Sequence, residues 1–171
     1  MDHDTSAKKV VVAVLTVSDT RSLENDRSGL VIVEQLEAAG HSISVRELVR
    51  DEQTAIIALI TNWSRQESVH AIVITGGTGP SRRDVTPEAV LPLMSATMQG
   101  FGELFRQLSY EEIGAAAMLS RADAGWIDSG SKRTPVFLLP GSPKAVSLAM
   151  SQLIIPQLGH LLEVCSLESK Q

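Results

Sequence analysis

The sequence predicts an α/β domain whose sheet is mostly parallel and covered by helices on both faces. Two observations carry that expectation. Apolar, β-branched runs alternate along the chain with segments whose apolar residues recur at helical spacing, the pattern of successive βαβ units. Segments rich in glycine or acids sit at the strand exits and helix starts, where open α/β sheets place their ligands. At 171 residues, 43% of them apolar, the chain suits one domain, residues 1–171, able to close a single core. Residues 1–8 and 165–171 are expected to be flexible ends.

Lys9 to Val17 reads KVVVAVLTV, nearly all apolar, as expected of a strand covered on both faces. Ser28 or Asp26 can cap a helix through Leu30, Val33, Leu36 and Ala39 that stops at Gly40. Ser42–Val49 alternates apolar and polar residues and reads as a second strand. Asp51 then precedes a helix with Ile56, Leu59, Ile60 and Trp63 on one face, and Ala71–Thr75 is a short buried strand. Thr86-Pro87-Glu88 starts a helix with Thr as the cap, Pro at the first helical position and an acid in the first turn. Gly100–Leu108 and Tyr110–Leu119 read as helical, with Gly114 marking an uncertain end. Gly125–Ser129 and Pro135–Leu139 are strands joined by the polar turn Ser129–Lys132. Ser142-Pro143 opens the last helix, with Val146, Ala149, Leu153 and Ile154 facing the core. The apolar helix around Phe101–Leu108 has two readings, a face toward a neighbouring subunit or ordinary core.

Composition excludes several classes. Net charge is −5 with no run of Lys and Arg, which disfavours nucleic acid as a partner because phosphate neutralisation supplies most non-specific affinity. No uninterrupted apolar stretch reaches the roughly 18 residues of a membrane span, and residues 1–9 lack the pattern of a secretory signal. A single cysteine, Cys165, fits a reducing compartment, so the expected location is cytoplasmic. His3, His41, His70 and His160 are scattered without metal-ligand spacing, which argues against zinc.

The strongest chemical signal is ITGGTGPSRRDVTPE, Ile74 to Glu88. Adjacent glycines let successive backbone N–H groups converge on one anion with no Cβ in the way. Thr75, Gly76, Gly77, Thr78 and Gly79 therefore read as a phosphate-binding loop, with Arg82 and Arg83 adding charge. The spacings of the dinucleotide fingerprint and of the P-loop are absent. Asp84 stands beside this loop, and a carboxylate there repels an anion unless a cation bridges them. That favours Mg²⁺ held by one or two carboxylates plus substrate phosphates. Asp51, in VRDEQ, is the second acid, with a helix N-cap worth about 1 kcal/mol as its alternative role. Pro140, Gly141 and Ser142 repeat the strand, turn and helix logic, where a helix N-terminus can take a second phosphate or carboxylate. Ser18 and Asp19 leave the first strand on the same edge of the sheet.

TVSDTR (Thr16–Arg21), DRSG (Asp26–Gly29), TGGTGPSRRDVTPEA (Thr75–Ala89), GFGELFRQLSYEEIG (Gly100–Gly114), SRADAG (Ser120–Gly125) and LPGSP (Leu139–Pro143) occur in order. Together they resemble the molybdenum cofactor biosynthesis protein B family (MoaB), kin of the molybdopterin adenylyltransferases (MogA type). The resemblance runs from about Val10 to Leu162. It implies a three-layer α/β/α sandwich assembled as a homotrimer or homohexamer. It further implies molybdopterin and ATP as ligands and Mg²⁺-dependent adenylylation of molybdopterin, releasing pyrophosphate. The alternative is a non-catalytic molybdopterin-binding or partner-binding member of the same pathway, with the molybdate-insertion protein as a candidate partner. Asp84 and Asp51 match the family's two active-site acids. The glycine loop, Ser120, Arg121, Gly125 and the Pro140–Ser142 turn match the segments lining its nucleotide and pterin pocket.

Overall fold

A computed structural model describes residues 9–167. In chain order the elements are β1 (Val11–Val17), α1 (Arg27–Ala38), β2 (Ser42–Val49), α2 (Gln53–Arg65), β3 (Ala71–Thr75) and α3 (Thr86–Val90). A 3₁₀ turn, Leu91–Leu93, leads to β4 (Ala96–Thr97) and α4 (Gln99–Ile113). A second 3₁₀ stretch, Gly114–Leu119, leads to β5 (Asp123–Ser129), β6 (Lys132–Leu139) and α5 (Pro143–Ala149). One π-helical segment, Met150–Ile154, joins α5 to α6 (Ile155–Leu167).

The six strands form one sheet in the order β2-β1-β3-β6-β5-β4. The pairings from β2 through β6 are parallel, and β5 and β4 extend the sheet antiparallel. The mostly parallel expectation thus holds for the half that carries the site. β5 and β6 form a tight hairpin whose two-residue turn uses Gly130 at φ +63°, a conformation glycine adopts without Cβ strain.

Two apolar layers cover the sheet. Ile32, Leu36, Phe105, Val146 and Met150 pack on one face with Val12, Val14, Val73 and Phe137. Ile56, Ile60, Trp63 and Val90 pack on the other with Leu15, Ile72, Ile74 and Leu138. Phe101 stands edge-on to Phe137 with centroids 5.4 Å apart. Of the two readings of the Phe101–Leu108 helix, Phe101 and Phe105 therefore belong to the core, and Leu104 is exposed.

The chain order places β1 between β2 and β3, so the connections leaving β1 and β2 run to opposite sides. That reversal opens a crevice at the carboxyl edge of the sheet. The registers Thr16↔Thr75 and Thr75↔Leu139 bring the exits of β1, β3 and β6 level there. The segments Ser18–Arg21, Gly76–Asp84 and Pro140–Ser142 consequently begin side by side.

Several local expectations are corrected. The buried face of α1 is Ser28, Gly29, Ile32 and Leu36, while Leu30 is exposed. The helix starts so close to β1 that a Cβ on Gly29 would lie 2.1 Å from the Asp26 carboxylate and 2.7 Å from Thr16 Oγ1, so small residues occupy the contact. Thr86 is not the cap of α3: Val85 holds that position, with no side-chain cap bond. α4 runs unbroken to Ile113, and β4 went unpredicted because two residues carry no periodicity. Apart from these corrections, α6 includes residues 165–167, and Cys165 is buried. Residues 1–8 and 168–171 lie outside the described residues. By length and composition alone the helix Pro143–Cys165 is long and apolar enough to cross a membrane. Its buried side chains, Val146, Ala149, Met150, Ile154 and Leu158, pack against the sheet as those of a core helix do.

Candidate functional site

A cleft of about 570 Å³ lies at the carboxyl edge of β1, β3 and β6. Of the residues singled out from sequence, Ser18, Asp19, Asp51, Gly76, Gly77, Thr78, Gly79, Asp84, Ser120, Pro140, Gly141 and Ser142 line it. Thr75 lies beneath it, fully buried, and its hydroxyl donates to the Pro140 carbonyl at 2.8 Å. Arg121 reaches the glycine loop from outside the cleft. Gly125 stands apart, in β5 beside β4, where a Cβ would meet the Ala96 carbonyl at 2.4 Å.

The loop owes its shape to two consecutive glycines with positive φ, Gly76 (+95°) and Gly77 (+65°). A Cβ on Gly76 would lie 2.2 Å from the Val17 carbonyl, and one on Gly77 would lie 2.3 Å from Thr86 Oγ1. Each loop carbonyl has a donor. Gly76 O accepts from Thr86 Oγ1 at 2.8 Å and Gly77 O from Thr86 N at 3.0 Å. Thr78 O accepts from Arg121 N at 3.0 Å and Gly79 O from Arg121 Nε at 2.9 Å. Of the amides, Gly76 N donates to Leu139 O. Those of Gly77, Thr78 and Gly79 have no acceptor among the described residues. A loop with these four carbonyls tied and three successive amides open can accept an anion.

Two carboxylates flank the loop. A Cβ on Gly77 would lie 2.9 Å from Asp51 Oδ1, and one on Gly79 would lie 2.9 Å from Asp84 Oδ2. Asp51 caps nothing: Glu52 occupies the cap position of α2, without a side-chain bond. Asp51 is buried, and that burial, with the charges of Asp19 and Asp84, pushes its carboxyl above the ordinary range. Asp84 has a partner that the sequence did not reveal, the Ser81 N–H at 3.1 Å. Asp19 is bound by Arg83 through Nε at 2.5 Å and Nη2 at 2.8 Å, and accepts the Asp51 N–H at 3.2 Å. The Arg83 guanidinium holds the Asp19 carboxyl below its usual range.

The repulsion felt by Asp51 is what a divalent cation would relieve. Among the described residues no group of three or more potential metal ligands assembles. A cation here would take two carboxylates from the chain and its remaining oxygens from phosphates, a donor set that suits Mg²⁺.

Opposite the loop, Ser142 caps α5 by accepting the Ala145 N–H at 3.2 Å, with Pro143 at the first helical position. Two side chains not assigned from sequence fix this turn. Arg21 Nη2 donates to Gly141 O at 3.0 Å, and Ser28 Oγ donates to the same oxygen at 2.6 Å. Leu119 also lines the cleft and was not foreseen, since an exposed leucine ending a 3₁₀ turn gives no periodic signal.

Fold and cleft together define an α/β protein with a glycine-loop cleft at the carboxyl edge of the parallel strands of a mixed sheet. A family model described as a probable molybdopterin binding domain matches residues 13–160. Molybdenum cofactor biosynthesis protein B of Bacillus subtilis (strain 168) is 47% identical over 163 residues, covering 94% of each chain. A crystal structure of a molybdenum cofactor biosynthesis protein B superposes with a TM-score of 0.88 at 43% identity, over 94% of this chain and 98% of the other. The tungsten cofactor synthesizing protein MoaB from Pyrococcus furiosus gives a TM-score of 0.83 at 34% identity, over 92% and 98%. The chain belongs to the molybdenum cofactor biosynthesis protein B family.

Proposed function

We propose that this chain acts in molybdenum cofactor biosynthesis by adenylylating molybdopterin with Mg·ATP, releasing pyrophosphate. The observation that carries the reading is the loop with three open amides between Asp51 and Asp84. An oxygen of the molybdopterin phosphate would attack the α-phosphorus of ATP, and the bond to the β-phosphate oxygen would break. The nucleophile is already ionised, so no general base is required. Among the described residues no histidine lines the cleft, which agrees with that.

The chain's contribution is to bring two anions together and hold them in line. The Gly77–Gly79 amides would bind one phosphate group, and the Pro140–Ser142 turn at the start of α5 would take a second anionic group. Asp51 and Asp84 would hold Mg²⁺, which supplies charge neutralisation between the phosphates. The homotrimer or homohexamer, the cytoplasmic location and contact with a molybdate-insertion protein belong to the same reading.

Purified chain supplied with molybdopterin, Mg²⁺ and ATP should release pyrophosphate. Asp84→Ala should lower the rate by about 100-fold or more, the order seen when a preorganised electrostatic group is lost. Molybdopterin binding with no pyrophosphate above that of the variant would sink the enzymatic reading. The second reading, a non-catalytic molybdopterin-binding protein, would then stand, supported by the match of residues 13–160 to a probable molybdopterin binding domain.

A further inference from the structure

Arg121 follows the 3₁₀ stretch Gly114–Leu119 and precedes β5. The hydrogen bonds of its side chain run to the last residue of the glycine loop and to the segment that follows it. Nε donates to Gly79 O at 2.9 Å and Nη2 to Asp84 O at 2.7 Å, while Nη1 is paired with Glu88 Oε1. Its backbone N–H donates to Thr78 O. One residue therefore holds three carbonyls around the loop and a carboxylate of α3.

Polarity is what an anion-binding loop must preserve. A peptide unit next to glycine turns over readily, because no Cβ opposes the rotation. Such a turn would present a carbonyl oxygen to the phosphate and withdraw an N–H. Thr86 prevents this at Gly76 and Gly77 by binding both carbonyls. In the other half of the loop Arg121 takes that role among the described residues: its backbone N–H holds the Thr78 carbonyl, whose peptide unit carries the Gly79 N–H, and its guanidinium holds the Gly79 carbonyl, whose unit ends in Pro80 and carries no N–H. A guanidinium suits the task because its planar fork serves several acceptors at fixed angles, which a single ammonium does not.

We propose that Arg121, oriented by Glu88, is a positioning residue: it keeps the loop carbonyls turned away from the ligand and fixes the backbone of Asp84. Resting on the reading of the loop as the phosphate site, this assigns to Arg121 a role different from direct ligand binding. The charge it carries is spent on Glu88 and on carbonyls.

The test compares Arg121→Lys, Arg121→Ala and Glu88→Gln in the full chain. In ¹⁵N spectra of the ligand-free protein, the Gly79 amide should broaden or split in both arginine variants, with the Gly77 and Thr78 amides, tied through Thr86, and those of β1 and β6 unmoved. Pyrophosphate binding in Mg²⁺, followed by calorimetry, should weaken about 10-fold in both arginine variants and about 3-fold in Glu88→Gln, as expected for lost charge-assisted bonds. Lysine should rescue neither readout. Wild-type binding in Arg121→Lys with loss in Arg121→Ala would assign Arg121 to the ligand and overturn the proposal. An unchanged Gly79 amide in both arginine variants would overturn it as well. If wild type releases no pyrophosphate from ATP while amides and binding respond as expected, adenylylation fails and the positioning role stands.

Discussion

Replacing Gly77 by alanine would put a methyl group 2.3 Å from Thr86 Oγ1, 2.9 Å from Asp51 Oδ1 and 3.3 Å from Val17 Cγ1. Three costs follow. A residue with a Cβ at φ +65° is strained by about 1–2 kcal/mol. Thr86 must move, which breaks its 2.8 Å bond to Gly76 O and forfeits about 1 kcal/mol. The remaining overlap with Asp51 costs about 1 kcal/mol or more if the carboxylate yields by rotating. A destabilisation of about 3 kcal/mol is expected, read from the midpoint and slope of urea unfolding. Gly100→Ala is the control, since nothing lies within 4 Å of its added methyl. It should be neutral or stabilising by up to about 1 kcal/mol in α4. If Gly77→Ala unfolded within about 0.5 kcal/mol of wild type, the contact between the loop and Thr86 described here would be wrong.

Two further predictions concern groups away from the loop. Burial opposes ionisation of Asp26, but the Thr16 hydroxyl, the Gly29 N–H and Arg46 outweigh it and hold the carboxyl below its ordinary value of 3.8. Its stabilisation is therefore complete above that value and lost as pH falls through the folded one. Asp26→Asn should cost about 2 kcal/mol at pH 7, the buried-pair penalty reduced for the partial exposure of Arg46, and should flatten acid unfolding below pH 3.8. His41 Nδ1 accepts the Val10 N–H at 3.3 Å, and burial lowers its pKa from 6.5. The neutral ring is the one that fits, so this contribution is present above pH 6.5 and is lost as pH falls through the lowered value. His41→Asn, which keeps an acceptor, should shrink the loss of thermal stability measured from pH 7 down to about pH 5; an unaltered loss would assign it to other groups.

Much of the fold was legible because its signals are local. β2 and β3 fall at the expected residues, since alternation and apolar runs mark strands without reference to partners. Ser142-Pro143 opens α5 as expected, because a cap and a proline act within one turn. α1 was misjudged where a small residue, Gly29, occupies the buried face, because packing against Asp26 and Thr16 leaves no room for an apolar side chain. Thr86 carries every local mark of a cap, yet its hydroxyl serves Gly76, ten residues away. The cap alternative for Asp51 was equally reasonable and is removed only by the observed start of α2 at Gln53.

The sequence by itself determined the alternation of strands and helices, the carboxyl edge as the place of the candidate site, and the glycines that allow the loop to form. These depend on φ preferences and on periodicity, both written in neighbouring residues. Only the tertiary structure decided how the loop is held and what surrounds it. It buried Asp51 beside Gly77, set Asp19 against Arg83, moved Gly125 out of the cleft and turned Arg121 onto carbonyls 42 and 37 residues before it. Arginine and aspartate carry the same donors and acceptors in any setting. Their partners are chosen by which distant segments the sheet brings within about 3 Å, and that choice has no signature in the local sequence.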